Sequence, residues 1–168
     1  MELILMRHAL AEERSERYPD DGQRPLSKDG RRRHRGISQV LQGMGVRFDE
    51  LISSPLVRAR ETAEITGRAY GWTEPIVETD ALGSGFSPAA LVEFLNGYDE
   101  SARLLCVGHE PDLSDFAARL LSASGRLSIA FRKSAVLGLE FPERVEAGAA
   151  TLLYFLKPGH LARLARDA

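Results

Sequence analysis

Cysteine is almost missing from this sequence. Cys106 stands alone among 168 residues, so no internal disulfide framework can form, and a reducing compartment such as the cytoplasm is the expected setting. Long apolar runs are missing too. No stretch approaches the roughly 18 apolar residues of a membrane span. The opening Met1-Glu2-Leu3-Ile4-Leu5-Met6 starts with an acid and is too short for a signal peptide, so it reads as a first strand. Nor is there an excess of one charge: 22 basic and 24 acidic residues are interspersed and give a formal net charge of −2. That argues against general binding to nucleic acid or anionic membrane, while leaving room for a local basic pocket. A glycine-rich phosphate loop and metal-ligand spacings are also absent, so no cofactor or metal is expected. Asp112 and Asp115, three apart near His109, suit a helix cap and surface better than a metal site.

What is present is an ordinary globular mixture, 43% hydrophobic and 27% charged. A chain of this length buries roughly 70% of the surface its unfolded form exposes, enough for one domain spanning 1–168. Leu3 to Met6 is apolar on both faces, as in a strand inside a sheet. Residues 11–26 are polar and punctuated by Pro19, Gly22 and Pro25, which predicts a long loop. Ser27 is placed to cap a helix that buries Ile37, Val40, Leu41 and Met44 and ends at Gly43 and Gly45. A short strand, Glu50 to Ser53, leads to Ser54-Pro55, read as a cap followed by proline at the first helical position. That helix, about 55–70, would bury Leu56, Ala59, Ala63 and Tyr70 before Gly71 stops it.

Further along, Pro75 to Glu78 predicts a brief strand, 79–87 a Gly/Ser-rich loop, and Ser87-Pro88 a helix burying Leu91, Phe94 and Leu95. Arg103 to Val107 is a second apolar central strand, followed by a strongly periodic helix with Leu113, Phe116, Ala117, Leu120 and Leu121. Strands at 135–141 and 149–156 and a tail helix from Pro158 complete the chain. Alternating strands and helices predict a three-layer α/β/α sandwich, its central sheet mostly parallel with an antiparallel edge. In such sheets chemistry gathers beyond the carboxyl ends of the strands.

Three strand ends bring polar residues to that rim: Arg7-His8, Ser53-Ser54-Pro55 with Arg58 and Arg60 just beyond, and Gly108-His109-Glu110. Guanidinium forks bind tetrahedral oxyanions bidentately, and helix amino termini add positive potential. A neutral imidazole in such a pocket is a competent nucleophile, and a second, protonated one would hold a phosphoryl oxygen. Cys106 lies inside an apolar strand and reads as an inert buried thiol. Arg31, Arg32, Arg33, His34 and Arg35 suggest a docking patch for an acidic partner, but helical spacing spreads them around the axis, favouring an exposed helix face.

Four blocks in order resemble the histidine phosphatase superfamily, the phosphoglycerate-mutase-like group, and within it the short phosphohistidine phosphatase (SixA-type) branch. They are Leu5-Met6-Arg7-His8-Ala9, Arg24-Pro25-Leu26-Ser27-Lys28-Asp29-Gly30, Ser53-Ser54-Pro55-Leu56-Val57-Arg58-Ala59-Arg60-Glu61-Thr62-Ala63 and Val107-Gly108-His109-Glu110-Pro111. The resemblance implies that His8 is the nucleophile that becomes phosphorylated and that Arg7, Arg58 and His109 complete the phosphate pocket. Arg58, not Arg60, occupies the family position. Ala9 replaces the family's usual glycine, which the backbone tolerates if φ stays negative there.

No residue clearly matches the acid that protonates the leaving group in larger members; Glu78 and Asp80 lie in that stretch, and Asp80 is the candidate. Arg24 is either a rim residue that binds substrate or a solvated loop arginine. Glu110 either orients substrate or serves the helix dipole. The implied activity is a metal-independent phosphatase working through a phosphohistidine intermediate. A missing acid and short connections favour phosphohistidine on a signalling or phosphotransfer protein. The alternatives are a small-molecule phosphomonoesterase and a non-catalytic phosphate-binding module. A mutase is disfavoured because no insertion is long enough for a lid.

Overall fold

Side chains on a strand alternate between faces, and the first strand uses this to join two cores. In β1 (Glu2–Arg7), Leu3 and Leu5 enter one cluster of buried residues while Ile4 and Met6 enter another. β4 (Arg103–Gly108) does the same with Leu104 and Cys106 on one side and Leu105 and Val107 on the other. All eight are essentially inaccessible to solvent, as strands covered on both faces require. The computed structural model describes residues 1–167, and side chains as far as 165.

The sheet is six-stranded, in the order β3-β2-β4-β1-β5-β6, with β2 at Glu50–Ser53, β3 at Val77–Glu78, β5 at Val136–Glu140 and β6 at Thr151–Leu156. β1, β2, β3 and β4 pair in parallel, whereas β5 runs antiparallel to both β1 and β6. The helices α1 (Lys28–Gly43), α2 (Val57–Tyr70) and α5 (Pro158–Asp167) contribute buried residues to one face. The other face carries α3 (Pro88–Leu95) and α4 (Asp112–Leu121). The expected three-layer sandwich with an antiparallel edge is observed.

This topology creates a switch point. From β1 the chain crosses through α1 to β2 on one side, and from β4 it crosses through α4 to β5 on the other. The crevice beyond the carboxyl ends of the adjacent strands β1 and β4 is where such folds bind ligands. Arg7 is level with Gly108, and Ser53 with Val107, so the residues after these three strands emerge side by side.

Local details depart from the sequence reading in three places. α2 begins at Val57, not Pro55, and its first turn has no side-chain cap; the Ser54 hydroxyl accepts from Leu56 N–H but is committed elsewhere. Met44 lies beyond the end of α1 and is half exposed instead of buried. The 11–26 loop is not free: Ala11 bridges to Leu26, and a short 3-10 turn spans Asp21–Gln23. Ser27 does cap α1, accepting from Gly30 N–H at 3.0 Å. Gly30 is needed there because a Cβ would lie 2.0 Å from the Leu10 carbonyl oxygen, so the segment after His8 packs directly on the helix start.

Candidate active site

The backbone just beyond β1 is held from several sides before any side-chain chemistry enters. His8 N–H donates to Gly108 O across the strand ends at 3.0 Å. Ala9 N–H donates to Thr62 Oγ1 at 3.0 Å, and the Thr62 hydroxyl donates to Arg58 O, its fourth neighbour back along α2. Ser134 N–H reaches the carbonyl oxygens of Arg7 at 3.1 Å and His8 at 3.3 Å. Ala9 does not have the positive φ that would demand glycine; among the described residues, Ser134, at φ 63°, is the non-glycine residue that does.

His8 is 6% exposed, and its Nδ1 lies 2.7 Å from its neighbour's carbonyl, Ala9 O. A carbonyl only accepts, so Nδ1 carries the hydrogen and Nε2 keeps its lone pair. Burial pushes the His8 pKa down to about 2, assisted by the neighbouring His109, Arg58 and Arg7, while the bond to Ala9 opposes the shift. The ring is therefore neutral at physiological pH. His109 faces it, with ring centroids 5.1 Å apart. Burial, then Arg58 and Arg7, lower the His109 pKa to about 3. The expectation of a protonated second imidazole is thus not met in this structure: desolvation and two arginines favour the neutral ring.

A neutral His109 still has a donor to offer. Its Nε2 lies 2.8 Å from Ser54 Oγ, an oxygen that already accepts from Leu56 N–H. The tautomer in which the Ser54 O–H donates to Nε2 puts the ring hydrogen on Nδ1, which is buried and has no partner. Arg7 Nε and Arg58 Nε are equally unmet; the other buried polar atoms without a partner, on Tyr70, Trp72 and Tyr154, belong to side chains packed against the core. Buried donors without acceptors cost stability unless a ligand supplies the acceptor. Three such donors, one on each of three neighbouring segments, define a site for an oxyanion rich in acceptors.

Other nitrogens of the two guanidinium groups are held by the scaffold. Arg7 Nη1 donates to Phe131 O at 2.7 Å; Arg58 Nη1 donates to Asp21 O at 2.8 Å, and Arg58 Nη2 lies 3.3 Å from the Asp21 carboxylate. Asp21, which the sequence did not single out, also binds Arg24 Nε at 2.9 Å. The Arg24 hydrogen bond is the main reason the Asp21 carboxyl is held below its usual range. Arg24 is no solvated loop arginine: its side chain is 12% exposed, it donates to Glu12 O, and its charge is felt by His109 and Arg58.

Glu110 accepts from both the backbone and hydroxyl of Ser114, the arrangement of a helix-start residue, and its charge also reaches Arg7. Asp80 lies exposed at the start of a 3-10 turn after β3, with no hydrogen bond or ion pair to His8, Arg7, Arg58 or His109 among the described residues. Glu78 is paired with Arg60 at 3.4 Å. Cys106 is fully buried, and burial raises its thiol pKa, as an inert strand cysteine requires.

His34 belongs to a different layer. It is fully buried, with Nε2 2.9 Å from Thr66 Oγ1 and Nδ1 3.1 Å from Ser134 Oγ. The exposed-face reading of the 31–35 run is therefore wrong for this residue. Gly30, His34, Ile37 and Leu41 all lie on the buried stripe of α1, and their helical spacing is the signal that could have located it.

Fold and site together present a buried, neutral histidine beside arginine and imidazole donors suited to an oxyanion. Residues 3–83 match the model of the histidine phosphatase superfamily (branch 1). An uncharacterized protein of Picosynechococcus sp. is 33% identical over 93% of this chain and 95% of its own length. Another, from Mycobacterium tuberculosis, is 32% identical over 91% and 99%. The chain belongs to the histidine phosphatase superfamily.

Its fold is shared with the protein histidine phosphatase SixA, solved with tungstate: TM-score 0.82, 23% identity, 96% of this chain and 99% of that one. The same architecture recurs in the phosphoserine phosphatase of Entamoeba histolytica, with TM-score 0.68, 17% identity and coverage of 95% and 98%. It recurs again in the alpha-ribazole phosphatase of Shigella flexneri, with TM-score 0.70, 17% identity and coverage of 94% and 97%. Among the described residues, no helix is long and apolar enough to cross a membrane.

Proposed function

We propose that this phosphatase acts through a phosphohistidine intermediate on His8 and that its substrate is phosphohistidine on a protein. His8 Nε2 attacks phosphorus in line; the N–P bond forms as the bond to the leaving group breaks, and the electron pair leaves with that group. Arg7, Arg58 and the Nδ1–H of His109 take the phosphoryl oxygens, so the growing charge meets donors fixed in advance. Water then attacks the phosphorus of phospho-His8, which releases inorganic phosphate and restores the neutral ring. The observation that carries this reading is the tautomer of His8, held by the Ala9 carbonyl so that Nε2 is the free nitrogen. A pure phosphate-binding module would need the arginines but not a buried, unprotonated nucleophile.

The preference for phosphohistidine rests on the carboxylates around the pocket. Asp21 is ionised and committed to arginines, Glu110 to Ser114, and Asp80 is exposed. An alcohol leaving group needs a proton from such an acid, whereas an imidazole, whose conjugate acid has a pKa of about 6.5, leaves readily once its ring is protonated. The small-molecule phosphomonoesterase reading is favoured only if Asp80 delivers that proton. Intact-mass detection after mixing with phosphohistidine proteins and small phosphate esters tests both. An acid-labile, alkali-stable adduct, absent in His8→Ala and formed fastest from phosphohistidine, is the expected result. Faster turnover of unactivated sugar phosphates, lost in Asp80→Asn, would reverse the substrate assignment.

A further inference from the structure

A groove of about 470 Å³ opens where α1, the first turn of α5 and residues 132–134 meet, and Arg7 lines it. Its other cations are Arg33 from α1 and the adjacent pair Arg132 and Lys133, over a floor that includes Leu10 and Pro158. No carboxylate lines it among the described residues. Arg33 is paired with Asp29 at 2.6 Å, a carboxylate it shares with Arg32. Arg132 and Lys133 are exposed, and neither has a carboxylate partner among the described residues. The charged groups that act on Lys133 are Arg7 and Arg24, both cations, and Arg132 in turn acts on Arg7. Two unpaired cations held beside further cations raise the local potential instead of relieving it.

The segment that carries this pair is fixed to the reacting strand. Phe131 O accepts from Arg7 Nη1, and Ser134, at the positive φ that side chains rarely adopt, is held by the carbonyls of Arg7 and His8 and by buried His34. Backbone strain of this kind persists where surrounding contacts over-determine it, often beside functional sites. Here it aims the 132–133 pair along the groove at a constant offset from His8.

We propose that this groove is a docking site for an acidic polypeptide segment flanking the phosphorylated residue, with Arg132 and Lys133 as its specificity-determining side chains. The inference deepens the phosphohistidine-protein reading and rests on it for the identity of the phosphorylated residue. Carboxylates of the segment would replace the missing partners of Arg132 and Lys133, and its apolar side chains would cover Leu10 and Pro158. A cationic rim over an apolar floor fits such a chain better than a single small anion.

The test uses synthetic peptides with a central phosphohistidine flanked by aspartates, asparagines or lysines. A matched phosphoserine set and fluorescein-labelled unphosphorylated versions accompany them. The wild-type protein should show a kcat/KM ratio of aspartate- to asparagine-flanked peptide on the order of tenfold or more at low salt, falling as salt is added. Arg132→Ser/Lys133→Ser should bring the ratio close to one, and Arg132→Glu/Lys133→Glu should shift the preference to the lysine-flanked peptide. Circular dichroism of each variant establishes that it is folded. A wild-type ratio near one, or a ratio unchanged in folded variants, overturns the proposal. If only the phosphoserine peptides turn over, the phosphohistidine reading fails, and the aspartate-to-asparagine ratio in that set still decides the groove. Anisotropy of the labelled peptides decides it without turnover: no tighter binding of the aspartate-flanked peptide would overturn it.

Discussion

Two groups of cations lie close together in this molecule and behave as opposites. On α1, Arg31 is paired with Glu61, and Arg32 and Arg33 both with Asp29. Each of these arginines, partly or wholly solvated, has a carboxylate partner, Asp29 being shared by two of them. At the strand ends, Arg7 and Arg58 are largely buried, are fixed by backbone carbonyls, and have Nε donors with no acceptor. The sequence shows the first group as a conspicuous basic run and the second as isolated residues. Density of charge along a chain therefore says little about where charge is available; what matters is whether the fold leaves buried donors without acceptors.

The sharpest way to break this contrast is to remove the group the cations surround. His8→Ala should abolish the phosphoenzyme and lower turnover of an activated aryl phosphate by roughly 10⁴-fold or more, the scale of losing a nucleophile. Equal, negligible rates in both proteins would instead mean that the pocket only binds. Arg58→Ala should reduce kcat by about 10²- to 10³-fold, as for one preorganised donor to a charged transition state.

Ser54→Ala releases His109 Nε2 and frees the ring to choose its tautomer; a fall in kcat of about ten- to a hundredfold, larger than any change in KM, is expected from the lost orientation. Ser54→Thr should recover much of it. If Ser54→Thr does no better than alanine, the hydroxyl is not what sets the tautomer.

A pH titration of stability probes the buried rings. The His34 pKa is lowered to about 4 by burial. An unfolded imidazole takes up a proton near pH 6.5 while the folded one does not, so unfolding binds protons and stability falls as pH drops from about 6.5 toward 4. Below that the folded ring titrates too and this contribution levels off. Thermal melts at pH 7 and pH 5 should show a lower Tm at pH 5, with a smaller difference in His34→Gln; an identical difference in both proteins would contradict a neutral buried His34. The smallest effect belongs to the α1 face. Arg32→Ala removes an exposed ion pair, so stability should stay within about 0.5 kcal/mol and aryl phosphate turnover should be unchanged. A large loss there would erase the distinction between the two groups of cations.

The strands and the residues at their ends were legible because burial on both faces leaves an uninterrupted apolar run, and Arg7-His8 and Gly108-His109 interrupt it at the rim. Asp21 was not legible. It lies in an aperiodic polar loop, and only the folded chain brings it against Arg58 and Arg24. Ser54 was read as a helix cap because Ser-Pro has that signature, but the helix starts at Val57 and the hydroxyl serves His109. His34 was hidden by the arginines around it, although its spacing from Ile37 and Leu41 was available. Arg132 and Lys133 had no local signal at all: their significance comes from Ser134, whose conformation is fixed by residues far away in the chain.

The position of β1 has a consequence for when the molecule becomes competent. This first strand lies in the interior of the sheet, between β4 and β5, which come from the second half of the chain. Gly108 O receives the His8 amide, and Ser134 N–H closes on Arg7 and His8 from the other side. Such distant pairings form late, because the intervening loop must close before any contact rewards it. A ribosome would therefore expose His8 before β4 and β5, the strands that complete its surroundings, had been made. Full activity should appear only in nascent chains long enough to expose β5, which makes this strand order a built-in delay between synthesis and catalysis.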